Sequence, residues 1–231
     1  MLRRASALLR RSPGASVTAP EPELRVDKVP WQERARTLLA PLVSQLARGG
    51  VTPTALTLSG LVLHVLSGVL IALGELLAGG ILLLVAAVCD SLDGALAREI
   101  GKVSRFGAFL DSTVDRVDET AVLGGIAVHF LRLGTVAGMV WSVVVLVGLA
   151  GSLITSYTRA RAEGLGLECK VGVFERPERV TVTVIGLLLG SRGLVVAVVV
   201  LTVLSWLTVA QRIRHVHRLL QSEDPRSMQV P

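Results

Sequence analysis

Between residues 90 and 115 the chain reads DSLDGALAREIGKVSRFGAFLDSTVD. Its four aspartates, Asp90, Asp93, Asp111 and Asp115, stand in a sequence otherwise dense in Leu, Val and Ala. On a helix, Asp90 and Asp93 share a face with Gly94, Ala97 and Arg98, and Asp111 and Asp115 share a face of a second helix with Gly107. Gly94, Ala97 and Gly107 leave room there for a backbone or a ligand to come close. Acids gathered in an apolar setting repel one another and are costly to desolvate. Divalent cations relieve both costs, and oxygen ligands without nearby Cys or His favour Mg²⁺, Mn²⁺ or Ca²⁺ over Zn²⁺. Two such ions bridged by aspartates clamp a phosphate and stabilise the attacking and leaving oxygens of a phosphoryl transfer. The plainer reading, helix-end acids paired with Arg98, Lys102, Arg105 and Arg116, leaves the four spacings unexplained.

The order Asp90-x2-Asp93-Gly94-x2-Ala97-Arg98-x8-Gly107-x3-Asp111-x3-Asp115 resembles the signature of the CDP-alcohol phosphatidyltransferase family, with every position present and no insertion. The resemblance implies an all-α integral membrane enzyme that moves a substituted phosphate from a CDP-linked donor, usually CDP-diacylglycerol, onto an alcohol and releases CMP. It implies that Asp90, Asp93 and Asp111 bind metal, two ions of Mg²⁺ or Mn²⁺, and that Asp115 both lies near the metals and acts as general base. A carboxylate beside a divalent ion is able to take the proton of an attacking hydroxyl. By the same resemblance Gly94, Ala97 and Arg98 border the cytidine diphosphate; an arginine there can pair a phosphate through two hydrogen bonds. Pro53 and Thr57 fall at donor-binding positions of the first span, although the family's Asn after the proline is Thr54 here. Thr57 also reads as a hydroxyl bonded to its own helix. The family is commonly dimeric, and the small residues Gly148, Ala150 and Gly151 suit either helix packing or a homodimer face.

Further on, RARAE at 159–163 and VGVFERPER at 171–179 flank a connection between two helices. Arg179 falls in the first turn of a helix, whose exposed N–H groups already favour an anion. With Arg159, and with Arg212 at the end of the last span, it can hold a phosphate against the metal centre. This pattern is similar to the phosphatidylinositol-phosphate synthase branch of the family, which implies inositol 1-phosphate as acceptor and Arg159, Arg179 and Arg212 as its phosphate ligands. Glycerol 3-phosphate or another polyol keeps the same chemistry with a different acceptor. A cation transporter is the reading from a different class, and it calls for acids deep in several spans.

The elements that must position these residues follow from composition. Of 231 residues 51% are hydrophobic, and the mean hydropathy is +0.62, values of a polytopic membrane protein. The net charge of +6 comes with only 3% aromatic residues, and the bases lie between apolar runs. Anionic lipid and phosphorylated substrates fit that balance, and nucleic acid does not. Cys89 and Cys169 form no framework. Residues 1–28 read as a flexible basic cytosolic tail and 29–50 as an interfacial amphipathic helix anchored by Trp31, with Pro41 inside its apolar stripe. Residues 51–217 read as six transmembrane helices, over 53–73, 77–97, 107–130, 135–160, 178–189 and 194–213, followed by a cytosolic tail over 218–231. With the N-terminus inside, the outer connections at 74–80, 132–134 and 190–193 carry only Arg132 and Arg192 among the basic residues. The positive-inside rule then puts the aspartates at the cytoplasmic face of the cell membrane. His64, His129, His215 and His217 read as packing or surface residues. Asp118, seven residues after Asp111, reads equally as a member of the same face and as a partner of Arg116 or a basic loop residue; it and Glu119 are left out of the site.

Overall fold

The structure is a computed structural model and describes residues 40–223. The tail over 1–28, Trp31 with the first part of the interfacial helix, and residues 224–231 lie outside the described residues. Helix α1 is described over residues 40–48, with Pro41 at the start of that part. Its Val43 is buried against Leu92 and Leu96. Six further helices follow: α2 Pro53–Leu73, α3 Leu76–Glu99, α4 Arg105–Arg132, α5 Val136–Glu163, α6 Arg176–Leu188 and α7 Gly190–Glu223. No strand occurs among the described residues.

Local chemistry sets the boundaries. Thr52 caps α2 by accepting from the Ala55 amide at 3.2 Å, Pro53 opens it, and Gly74 closes it at φ 100°. Ser104 and Thr135 cap α4 and α5 in the same way, at 2.9 and 3.0 Å. Glu178 reaches back to the Glu175 amide at 3.0 Å and fixes the start of α6. Two boundaries differ by more than three residues from the sequence expectation, both of them in α7. The turn placed at 190–193 is confined to Leu189 and Gly190, whose φ is 74°, and α7 starts there. At its other end α7 runs past 213 to Glu223. Val216 and Leu219 pack there against Ala162, Leu167 and Cys169 of the α5–α6 region, so tertiary contact sustains the helix where apolarity falls away.

Four helices, α2, α3, α5 and α7, are long and apolar enough to cross a membrane, with mean hydropathies of 2.2, 1.9, 2.2 and 2.5. The chain is a multi-pass membrane protein. The other two expected spans fall short for separate reasons. α6 has 13 residues, roughly 20 Å of helix against the ~30 Å of a hydrocarbon core. α4 has 28 residues, but Arg105, Asp111, Asp115, Arg116, Asp118 and Glu119 occupy its first half.

Glycine lets the site helices meet. A Cβ on Gly125 of α4 would lie 2.2 Å from the Gly68 carbonyl oxygen of α2, and one on Gly68 would lie 2.4 Å from the Ala121 carbonyl. Ser67 adds a hydrogen bond from α2 to the Gly79 carbonyl of α3 at 2.8 Å. Gly148 and Gly151 face Thr202, Ser205 and Trp206 of α7, so these small residues serve packing within the chain. A core of Ile71, Leu83, Leu123, Ile126, Leu187 and Leu201 fills the space between. Gly125→Ala is therefore expected to force α2 and α4 apart and cost about 1–3 kcal/mol, the usual toll of overpacking. The adjacent Gly124→Ala, whose Cβ would meet nothing within 4 Å, should leave the protein unchanged. Thermal unfolding of both variants in detergent tests this: only the first should melt several degrees lower.

Candidate active site

Helices α3 and α4 carry the acids, α2 lies against them, and α6 answers their charge. Asp93 is 5% exposed and accepts from the Thr57 hydroxyl at 2.6 Å. The same hydroxyl lies 3.0 Å from the Pro53 carbonyl, so Thr57 bonds its own helix as well as Asp93. Asp90 is pressed onto α2 where Gly60 stands; a Cβ there would lie 2.5 Å from its Oδ1. Asp111 is exposed and Asp115 half-buried. Asp93, Asp111 and Asp115 each lie within electrostatic reach of Asp90, so the spacings do gather them. Gly94 and Ala97 are half-buried and Arg98 is exposed. The Arg98 guanidinium bends back over Gly94, its Nη1 3.5 Å from where a Cβ would stand.

A second tier lies deeper, and sequence reasoning missed it. His64 is not a packing residue. At 2% exposure it stands between Asp90 and Asp118, with Nε2 3.8 Å from Asp90 Oδ2 and Nδ1 3.6 Å from Asp118 Oδ2. Its Nδ1 is 2.9 Å from the Gly60 carbonyl. Asp118, set aside in the sequence, is 1% exposed and belongs to the same cluster. Arg176 ties the tiers together. Its Nη2 donates to Asp90 Oδ2 at 2.7 Å and to Asp118 Oδ2 at 3.3 Å, and its Nη1 meets Asp115 Oδ1 at 2.7 Å. The available signal was spacing: Thr57, Gly60 and His64 fall on one face of α2, as Asp111, Asp115 and Asp118 do on α4. Glu119, also set aside, accepts from Ser152 and from Arg179 Nε, the latter at 2.8 Å.

The three arginines of the expected phosphate pocket come from three helices, and Arg212 lies within electrostatic reach of the other two. Arg179 is buried and donates to Glu119 and to the Phe174 carbonyl at 3.2 Å. Arg212, also buried, donates to the carbonyls of Val171 and Thr155 at 2.8 and 2.5 Å and pairs with Glu175 at 3.3 Å. Arg159 pairs with Glu163 at 2.9 Å and is the most open of the three.

The donor set fits a hard divalent ion. It is rich in carboxylate oxygens, and Asp118 Oδ1, Glu119 Oε2 and His64 Nε2 are buried without a hydrogen-bond partner among the described residues. A buried acceptor left without a donor costs about 1–3 kcal/mol, so such atoms call for a cation or ordered water. His64, Asp90 and Asp118 each offer a ligand atom within 4.8 Å of the others. His64, Asp118, Glu119, Arg176 and Arg179 also line a cavity walled by Leu and Val side chains.

A family model described as CDP-alcohol phosphatidyltransferase matches residues 50–213. The chain is 39% identical over 178 residues to the archaetidylinositol phosphate synthase of Pyrococcus horikoshii, covering 76% of this chain and 89% of that one. It is 33% identical over 198 residues to the phosphatidylinositol phosphate synthase of Cutibacterium acnes, covering 80% and 95%. Among solved structures, the phosphatidylinositol phosphate synthase of Mycobacterium tuberculosis with CDP-DAG bound matches at a TM-score of 0.70 and 33% identity, covering 78% of this chain and 94% of that one. The same enzyme in complex with manganese and citrate matches at 0.69 and 34%, covering 76% and 87%.

Proposed function

Because the chain belongs to the CDP-alcohol phosphatidyltransferase family, we propose that it transfers a phosphatidyl group from CDP-diacylglycerol to inositol 1-phosphate, giving phosphatidylinositol phosphate and CMP. The observation that carries this reading is the gathering of the signature carboxylates of α3 and α4 around Arg176 of α6, with Arg159, Arg179 and Arg212 forming a basic group of their own from α5, α6 and α7. The named relatives and the manganese-bound and CDP-DAG-bound structures support it. Asp90, Asp93, Asp111 and Asp115 would hold two divalent ions, Mg²⁺ or Mn²⁺. When bound, such ions polarise the diphosphate and offset the charge that develops on the departing phosphate.

The chain's own side chains do the rest. Thr57 fixes the Asp93 carboxylate, and Gly60 lets Asp90 lie against α2. Gly94, Ala97 and Pro53 leave the nucleotide a close approach, and Arg98 pairs one of its phosphates. Asp115 takes the proton of the inositol hydroxyl as its oxygen bonds to the phosphorus that bears the diacylglycerol; the bond from that phosphorus to the CMP oxygen breaks, and its electron pair leaves with CMP. Arg159, Arg179 and Arg212 hold the acceptor phosphate, Arg159 meeting it first because its guanidinium is the most open. In this reading α4 and α6 cross the membrane as the inner members of a six-helix set. Their charged ends face the cytoplasm, as the positive-inside rule demands, and the enzyme works as a homodimer in the cell membrane.

The test is labelled transfer by purified protein with Mg²⁺ and CDP-diacylglycerol, comparing inositol 1-phosphate, inositol and glycerol 3-phosphate. Labelled lipid with inositol 1-phosphate alone is the expected result, and Arg159→Gln should raise the KM for that acceptor about tenfold, the loss of one charge-assisted phosphate contact. The KM for the donor should stay within about twofold of wild type, since Arg159 stands apart from the nucleotide residues. Label in glycerol 3-phosphate instead would keep the aspartate chemistry and discard the acceptor. Absence of transfer to all three would return cation transport to consideration.

A further inference from the structure

Arg176 has no role in the chemistry above, yet one guanidinium spans three carboxylates from two helices. Two of its contacts, Asp90 Oδ2 and Asp115 Oδ1, each at 2.7 Å, are to residues of the metal-binding set. The third, Asp118 Oδ2 at 3.3 Å, belongs to a residue buried below that set. A divalent ion that takes oxygens from Asp90 and Asp115 therefore draws on the same lone pairs as the Arg176 N–H groups, and it brings a like charge beside the guanidinium. Resting on the metal-dependent reading, we infer that Arg176 is a positioning residue that competes with the divalent ions for Asp90 and Asp115 and so sets how tightly the site holds metal.

Two features of the surroundings give this competition its shape. Asp118 keeps a carboxylate for Nη2 when the upper contacts are given up, so the guanidinium never stands buried without a counter-charge. The capped start of α6 fixes the backbone from which Arg176 reaches, through the bond from the Glu175 amide to Glu178. A third ion among His64, Asp90 and Asp118 is the rival use of these groups. It is disfavoured because Arg176 Nη2 already bonds Oδ2 of both aspartates, which leaves the orphan atoms of this tier to ordered water.

Mn²⁺ binding to the purified full chain in lipid nanodiscs, read as free Mn²⁺ by electron paramagnetic resonance, tests the inference without recourse to turnover. Arg176→Gln is expected to bind Mn²⁺ about tenfold more tightly than wild type, because the competing donors and their charge are gone. Arg176→Lys keeps the charge and is the gentler variant; its single ammonium cannot bridge Asp90 and Asp115, so binding should tighten about threefold. Arg214→Gln removes a charge from an exposed position of α7 and should leave the affinity unchanged, which separates a local contest from net charge. Unchanged or weaker binding in Arg176→Lys overturns the inference while leaving the metal-dependent reading in place. A wild-type protein that binds no Mn²⁺ overturns both.

Discussion

Asp115→Asn should lower phosphatidyl transfer about 10³-fold, the middle of the range for loss of a general base. The amide keeps the size and shape of the carboxylate, so the fold of α4 and the α2–α4 crossing at Gly68 and Gly125 should survive. Two properties disappear with the charge. The amide cannot take up the hydroxyl proton, and it offers one weaker oxygen to a metal where the carboxylate offered two. Mn²⁺ affinity separates these losses: a tenfold weaker affinity can be overcome with excess metal, whereas a missing base cannot. Residual activity of about one part in 10³ at saturating Mn²⁺ would assign proton transfer to Asp115. Activity that recovered fully with metal would confine Asp115 to ligation.

Chelation of divalent ions should bring CMP release to background, with full recovery on adding Mg²⁺ or Mn²⁺. The structural reason is charge. Asp90, Asp93, Asp111, Asp115 and Asp118 converge, while among the described residues Arg176 and Arg116 are the arginines that pair with members of the set. Ions that bind the folded state and not the unfolded one stabilise it by about 2.7 kcal/mol at a hundred times their Kd. Chelated protein should therefore also melt several degrees lower, and the two readouts should return together as metal is titrated back. Turnover that persisted in chelator would remove metal from the mechanism altogether.

Much of this was legible because the signals were local. Thr52-Pro53 and Gly74 delimit α2 in the sequence as they do in the structure, and the three- and four-residue spacings of the aspartates put them on shared helix faces. Gly148 and Gly151 were recognisable as contact residues but not as facing α7 within the chain, because small size says nothing of which helix approaches. Arg176 and His64 were missed for a related reason. Arg176 lies 86 residues from Asp90 and 58 from Asp118, and no periodicity within one helix reports a contact of that span. The weak hydropathy of the two remaining expected spans, α4 and α6, has its origin in the site itself. α4 gives half its length to acids and bases, and α6 is shortened by the connection that delivers Arg176, so hydropathy weakens where chemistry concentrates.

The reach of Arg176 across three carboxylates also orders events in the making of the protein. A chain synthesised from its N-terminus presents α3 and α4 to the membrane well before α6 exists. For that interval Asp90, Asp115 and Asp118 lack the guanidinium that pairs with them in the finished molecule, and unpaired acids are poor tenants of hydrocarbon. Completion of the Arg176-bridged cluster therefore waits on α6, which follows α3 and α4 in the chain.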